Sequence, residues 1–235
     1  MHRFFAPDIN VNGTLPEEES RHAVRVLRMA VGDKLDVVDG HGTLYHCRLA
    51  MAHPKHALVT IDDTERVEPH WPRHITLAVA PTKNLDRMEW LVEKAVEVGV
   101  DRIVPLLTEH SERRVLKTER LRKIMVAAMK QSLKATLPRL DELTPLDKLL
   151  AEPLDGDRFV AYCDEALPRE QRLTLDKALT AAPAATLLIG PEGDFSPAEV
   201  ARLLDAGFAP VTLGESRLRT ETAALVGLVV LHSRP

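Results

Sequence analysis

The chain has 235 residues, 45% of them apolar and only 4% aromatic, which allows an aliphatic core and excludes a disordered or low-complexity protein. A net charge of −4 excludes a uniformly basic nucleic-acid binder, and two distant cysteines, Cys47 and Cys163, exclude a disulfide scaffold or cysteine-rich zinc site. The longest apolar run, Ala223 to Leu231, is too short for a bilayer, which needs about 20 residues, and MHRFFAPDIN is too weakly apolar for a signal peptide.

A cytoplasmic protein without a membrane partner is therefore expected. The histidines His22, His41, His46, His53 and His56 have no ligand spacing, so no metal is expected either.

Along the chain, EEESRHAVRVLRM has helical spacing through Ala23, Val26 and Leu27, with Gly32 just past its end. KLDVVDG and TLYHCRLA alternate around the turn Asp39-Gly40-His41-Gly42, and ALVTI adds a third strand. These elements predict a compact small barrel. Val67 to Arg73 holds two prolines and no periodicity, which sets a boundary between a first domain, residues 1–70, and a second, residues 73–235.

From Ile75 strands and helices alternate. ITLAVA, RIVPLL, RFVAYC, TLLIG and PVTLG read as strands; between them lie DRMEWLVEKAVEVGV, capped by Asp86 with Glu89 and stopped at Gly99, and a long helix opening at Thr118. That helix has an apolar face at Leu121, Met125, Ala128 and Met129. AEVARLLDAG and ETAALVGLVVLHS are the last two helices. Nearly continuous apolar strands alternating with helices predict an α/β domain around a parallel sheet. Charge is segregated too: residues 111–140 hold nine Lys/Arg against two Glu, and residues 141–185 ten acids against five bases, a local field a phosphate backbone can use.

Two loops stand out. In LLIGPEGDFSPAEV a buried strand ends in Gly190-Pro191-Glu192-Gly193, and Ser196-Pro197-Ala198-Glu199 then forms a complete helix start. A rigid, glycine-lined loop at a strand's carboxyl end is where open α/β sheets bind ligands. It matches neither a Walker A loop nor GxGxxG. In LGESRLRTETAAL, Gly214 ends a strand, five polar residues surround a lone Leu218, and Thr220 is placed to cap the final helix. Leu218 needs an apolar partner, either core or the flat face of a ligand.

Together the two stretches resemble the carboxyl-terminal signature of the RsmE family of 16S ribosomal RNA uridine-N3 methyltransferases, within the SPOUT superfamily. HRFF, RHAVRVLRMAVGDKLDVVDGHG, EKAVEVGVDRIVPLL and QSLKATLP extend the likeness along nearly the whole chain. The resemblance implies a PUA-like, RNA-gripping β-barrel at residues 1–70 and, at residues 73–235, a SPOUT-type parallel sheet with a deep carboxyl-terminal trefoil knot. It implies S-adenosyl-L-methionine as cofactor, a homodimer through the knot domain, and methylation of N3 of a specific uridine in 16S rRNA of the 30S subunit near the decoding region. The alternatives are another rRNA target, or a catalytically silent RNA-binding homologue.

On this likeness the cofactor is lined by Leu188, Ile189, Gly190, Pro191, Glu192, Gly193, Leu213, Gly214, Ser216, Leu218, Thr220 and Ala223. Arg219 and Glu192 are the candidate catalytic residues; Arg3, Arg21, Arg25, Arg28, Arg113 and Arg114 are candidates for RNA. The sequence departs from the family pattern at Asp194, where glycine is usual, at His110 and Lys134, where arginine is usual, and at Lys130, where glutamate is usual. His110, Lys130 and Lys134 are expected to face RNA rather than the cofactor.

Overall fold

The computed structural model describes residues 2–163 and 173–233, so part of the acidic 141–185 stretch lies outside the described residues. The chain forms two compact units, Met1–His70 with Met125–Leu137, and Trp71–Ile124 with Pro138–Pro235. The first unit thus takes in residues far along the chain from its other members.

In the first unit, β1 (Arg3–Phe5), β2 (Lys34–Val38), β3 (Thr43–Met51) and β4 (Leu58–Arg66) form a four-stranded sheet in that order. The predicted hairpin is present, with Val38 opposite Leu44 and Lys34 opposite Arg48. The strand β1, which no sequence signal marked, pairs in parallel with β2. Alternation puts Phe4, Leu35, Val37, Leu49 and Val59 into one core, each worth about 1.5–3 kcal/mol when fully buried.

The predicted helix over residues 17–29 breaks early. After the short α1 (Ile9–Asn12), α2 covers only Glu17–Arg21 and continues as a π turn, His22–Val26. Ser20 explains the close approach here: its buried hydroxyl donates to Leu15 C=O and accepts from Ala57 N–H, both at 2.9 Å. Residues 135–137 join the same unit through backbone bonds, Gly42 N–H to Ala135 C=O at 3.0 Å and Leu137 N–H to Gly40 C=O at 2.9 Å.

Among the described residues the strands of the second unit pair only in parallel. The strands are β5 (His74–Val79), β6 (Arg102–Leu107), β7 (Arg139–Leu140), β8 (Thr144–Pro145), β9 (Asp157–Ala161), β10 (Leu173–Thr174), β11 (Ala184–Ile189) and β12 (Ala209–Thr212). Their order among the described residues is β10-β12-β9-β11-β5-β6-β7, with β8 also on β6. β5 and β11 are buried along almost their whole length, as a sheet covered on both faces requires.

Helices α3 (Leu85–Val98), α4 (Thr118–Gln131), α5 (Leu146–Leu150), α6 (Leu175–Ala178), α7 (Pro197–Asp205) and α8 (Thr220–Leu231) complete the order. The expected apolar face of α4 is buried at Leu121, Met125, Ala128 and Met129. The cap of α3 differs from expectation. Asn84, not Asp86, is the N-cap and accepts from Asp86 N–H, because the helix begins at Leu85, two residues earlier than a cap at Asp86 requires. Glu89 is free of a capping duty and pairs with Arg120. At α7 the anticipated cap is realised: Ser196 accepts from Glu199 N–H and the Glu199 carboxylate returns to Ser196 N–H. No helix among the described residues is long and apolar enough to cross a membrane.

Candidate functional site at the carboxyl ends of three strands

The strand order sets the site. Because β9 lies between β12 and β11, the two loops noted in the sequence are separated by the end of a third strand. A cleft of about 300 Å³ opens there, lined by Arg87, Ala161–Cys163, Ile189–Glu192, Asp194, Arg217–Glu221 and Ala223. A smaller recess of about 80 Å³, lined by Val211–Gly214 and Ser216, shares Ala161–Cys163, Leu218 and Ala223 with it.

The first loop is held from several sides. Asp194 N–H donates to Pro191 C=O at 2.9 Å, closing the turn. The Glu192 carboxylate accepts from Lys83 N–H at 3.0 Å. Glu199, 3% exposed, receives Ser196 N–H at 2.9 Å and also Glu109 N–H at 2.8 Å, so one buried carboxylate serves both the α7 cap and the segment after β6. Each such bond contributes about 0.5–1.5 kcal/mol, more with a charged acceptor.

Thr220 plays a part the sequence misassigned. The N-cap of α8 is Arg219, with no side-chain cap, and Thr220 is the first helical residue. Its buried hydroxyl donates instead to Gly190 C=O at 3.3 Å, tying the second loop to the first. Within the second loop Thr212 Oγ1 donates to Gly214 C=O at 3.0 Å, and Gly214 adopts φ +117, which only glycine takes readily.

Most of the residues singled out from sequence meet at this cleft. Ile189, Gly190, Pro191, Glu192, Leu218, Arg219, Thr220 and Ala223 line it, and Leu213, Gly214 and Ser216 line the recess. Leu188 does not; it is fully buried in the sheet's core. Gly193 does not either, since it packs against His110, where an added Cβ would lie 3.1 Å from the His110 Cβ. Arg219 is exposed and has no ion pair among the described residues, whereas Glu221 faces Arg87 at 3.7 Å. Among the lining residues, the sequence missed Ala161, Tyr162, Cys163 and Arg87, and also Arg217 and Glu221 beside the residues it named. RFVAYC was read as a strand, and the strand-end rule could have flagged its carboxyl end, but only strand order brings it between the two loops.

Two of the departures have protein partners. His110 lies against the first loop, its Nδ1 3.0 Å from both Gly193 C=O and Asp194 C=O. Lys130 forms an ion pair with the largely buried Glu19 inside the first unit. Among the candidate RNA residues, Arg3 is drawn inward: its side chain is 12% exposed and stands 4.0 Å from Asp36. Arg113 donates to Lys83 C=O at 2.7 Å and Arg114 to Glu109 C=O at 3.1 Å, so both guanidinium groups brace backbone. Arg21, Arg25 and Arg28 are exposed, but Arg28 lies beyond the π turn with φ +54, so the three do not share one regular helical ridge.

The two thiols differ sharply. Burial, with Asp62 and Asp36 adding negative field, pushes Cys47 up to about 12, while Cys163 is exposed at the cleft. No group of three or more His, Cys, Asp or Glu side chains among the described residues is placed to hold a metal ion.

Comparison with known proteins places this geometry in a family. Residues 69–232 match the RNA methyltransferase domain model and residues 15–62 the RNA methyltransferase PUA domain model. A crystal structure described as a probable rRNA-methyltransferase from Porphyromonas gingivalis is similar at a TM-score of 0.93 and 45% identity, over 99% of this chain and 97% of that one. Ribosomal RNA small subunit methyltransferase E from Neisseria gonorrhoeae, solved bound to S-adenosyl methionine, matches at a TM-score of 0.85 and 28% identity over 98% and 96%. The Mycobacterium bovis ribosomal RNA small subunit methyltransferase E is 31% identical over 94% of this chain and 86% of its own length. The chain therefore belongs to the ribosomal RNA small subunit methyltransferase E family of RNA methyltransferases.

Proposed function

We propose that the chain transfers a methyl group from S-adenosyl-L-methionine to N3 of a uridine in 16S rRNA of the 30S subunit, near the decoding region, in the cytoplasm. The observation that carries this reading is the cleft: two loops from the ends of β11 and β12, joined by the Thr220–Gly190 hydrogen bond, in a chain whose relatives include an S-adenosyl methionine complex. The lining suits such a group. Gly214 exposes bare backbone with nothing within 4 Å of an added Cβ, Leu218 and Ala223 offer apolar surface to a purine face, and Glu192 brings negative charge for a sulfonium.

Bound there, S-adenosylmethionine supplies an electrophilic methyl on a positively charged sulfur. Uracil N3 carries a proton and a lone pair delocalised into two carbonyls, so this chain must align the base, allow the proton to leave and stabilise the developing anion. Arg219, which has no ion pair among the described residues and lines the cleft, meets uracil oxygens or a phosphate. Glu192, fixed through Lys83 N–H, acts electrostatically on the reacting centre. N3 lies on the Watson–Crick edge, so the target base must be unpaired or flipped out.

The same reading extends to the whole chain. The first domain, residues 1–70, grips RNA as a PUA-like barrel, with Arg21, Arg25 and Arg28 as exposed cations that have no ion pair among the described residues. The second, residues 73–235, carries the trefoil knot, supported by α8, which leaves β12 yet packs on β11, β5 and α3. Two copies pair through this domain: α8 is apolar around its circumference, and Val229 and, on α3, Trp90 remain 52% and 42% exposed, surface a second copy covers.

The deciding experiment is methyl transfer to 30S particles from a strain lacking the modification, followed by nucleoside mass spectrometry. We expect 3-methyluridine; another methylated nucleoside, or none, overturns the assignment.

A further inference from the structure

Asp194 holds φ +62, a left-handed conformation that side chains other than glycine, asparagine and aspartate rarely take. Its carboxylate is fully engaged in that posture. Oδ2 accepts from Cys163 N–H at 2.6 Å, at the end of β9, and Oδ1 accepts from Phe195 N–H at 2.8 Å. Its carbonyl and that of Gly193 both lie 3.0 Å from His110 Nδ1. Carbonyl oxygens have no hydrogen to give, so Nδ1 carries one and donates. His110 stands just after β6, and Gly193 approaches it so closely that an added Cβ would lie 3.1 Å from the His110 Cβ.

One turn therefore bridges the ends of β6, β9 and β11. From this geometry we infer that Asp194 and His110 are positioning residues that set the 190–193 backbone for the methyl donor, Asp194 as the bridge to β9 and His110 as the clamp from β6. This rests on the methyl-donor reading of the cleft. Neither residue acts on the reacting atoms. Their effect is on donor affinity, through a loop whose binding geometry is fixed before the ligand arrives.

The test is calorimetry with S-adenosylmethionine and single-turnover methyl transfer, on the full chain and three variants. Asp194→Gly keeps the backbone turn, removes both carboxylate bonds and relieves the left-handed strain. It is expected to weaken donor binding about tenfold while turnover at saturating donor is kept, a split between affinity and turnover that a purely structural role does not produce. His110→Ala is expected to weaken binding by a similar factor, and His110→Asn, whose side-chain N–H reaches the place of Nδ1, to recover most of it. Turnover at saturating donor stays within about threefold in all of them, because the reacting groups are untouched. A wild-type chain that does not bind the donor defeats the methyl-donor reading itself. A wild-type chain that binds, with Asp194→Gly or His110→Ala within twofold of it, leaves that reading standing and overturns the positioning role.

Discussion

The two walls of the cleft are built on opposite plans. The wall after β11 is braced by the segments that follow β5, β6 and β9, through Lys83, Glu109, His110 and Cys163. The wall after β12 has one side-chain hydroxyl at its root, Thr212, and one at its end, Thr220, with exposed residues between them at Gly214, Ser216, Arg217 and Arg219. The first wall is a preformed surface. The second shows fewer side-chain braces among the described residues, which suits a division in which one loop fixes a cofactor and the other meets the nucleotide.

The largest effects should separate the walls by chemistry. Arg219→Ala is expected to lower the methyl-transfer rate at saturating donor about 100-fold, as the loss of an anion-stabilising donor does, while Glu192→Gln costs about tenfold. Single-turnover kinetics on 30S particles measure both, and unchanged turnover and donor affinity in Glu192→Gln would remove that residue from the mechanism.

Stability should separate them next. Glu199→Ala strands two amides, one buried and one part-buried, and is expected to cost about 2–3 kcal/mol in urea unfolding, whereas Ser216→Ala on the open wall should stay within about 0.5 kcal/mol. Equal losses would end the contrast.

Affinity gives a smaller difference. Leu218→Ala removes the apolar side chain shared by cleft and recess and should weaken donor binding about tenfold, or about 1.4 kcal/mol, read by calorimetry.

The smallest effect is a change in labelling. Near pH 8 a thiol reagent should modify Cys163, which is exposed, and spare Cys47, whose buried thiol titrates only at about 12 and is almost wholly protonated there. Donor binding should slow Cys163 labelling several-fold, and equal labelling with and without donor would remove Cys163 from the occupied cleft.

What could be read along the chain was whatever a few neighbouring residues specify together. The Ser196–Glu199 capping box, the apolar face of α4, the β2–β3 hairpin and the glycine-bounded loops all appear where residue type and spacing put them, because helix caps and strand alternation are satisfied within a turn or two. The early end of the amino-terminal helix escaped this reading, since the register is broken by a π turn beside the buried Ser20, whose partner Ala57 is 37 residues away.

The sequence by itself determined the α/β class, the two loops and most of the residues that meet in the cleft. Tertiary structure alone decided that β9 lies between β11 and β12, that Thr220 bonds to Gly190 rather than capping its own helix, and that His110 and Lys130 face protein partners. The reason is one of range: a buried polar group must find a partner, but which partner depends on strand order and crossings that no local pattern encodes.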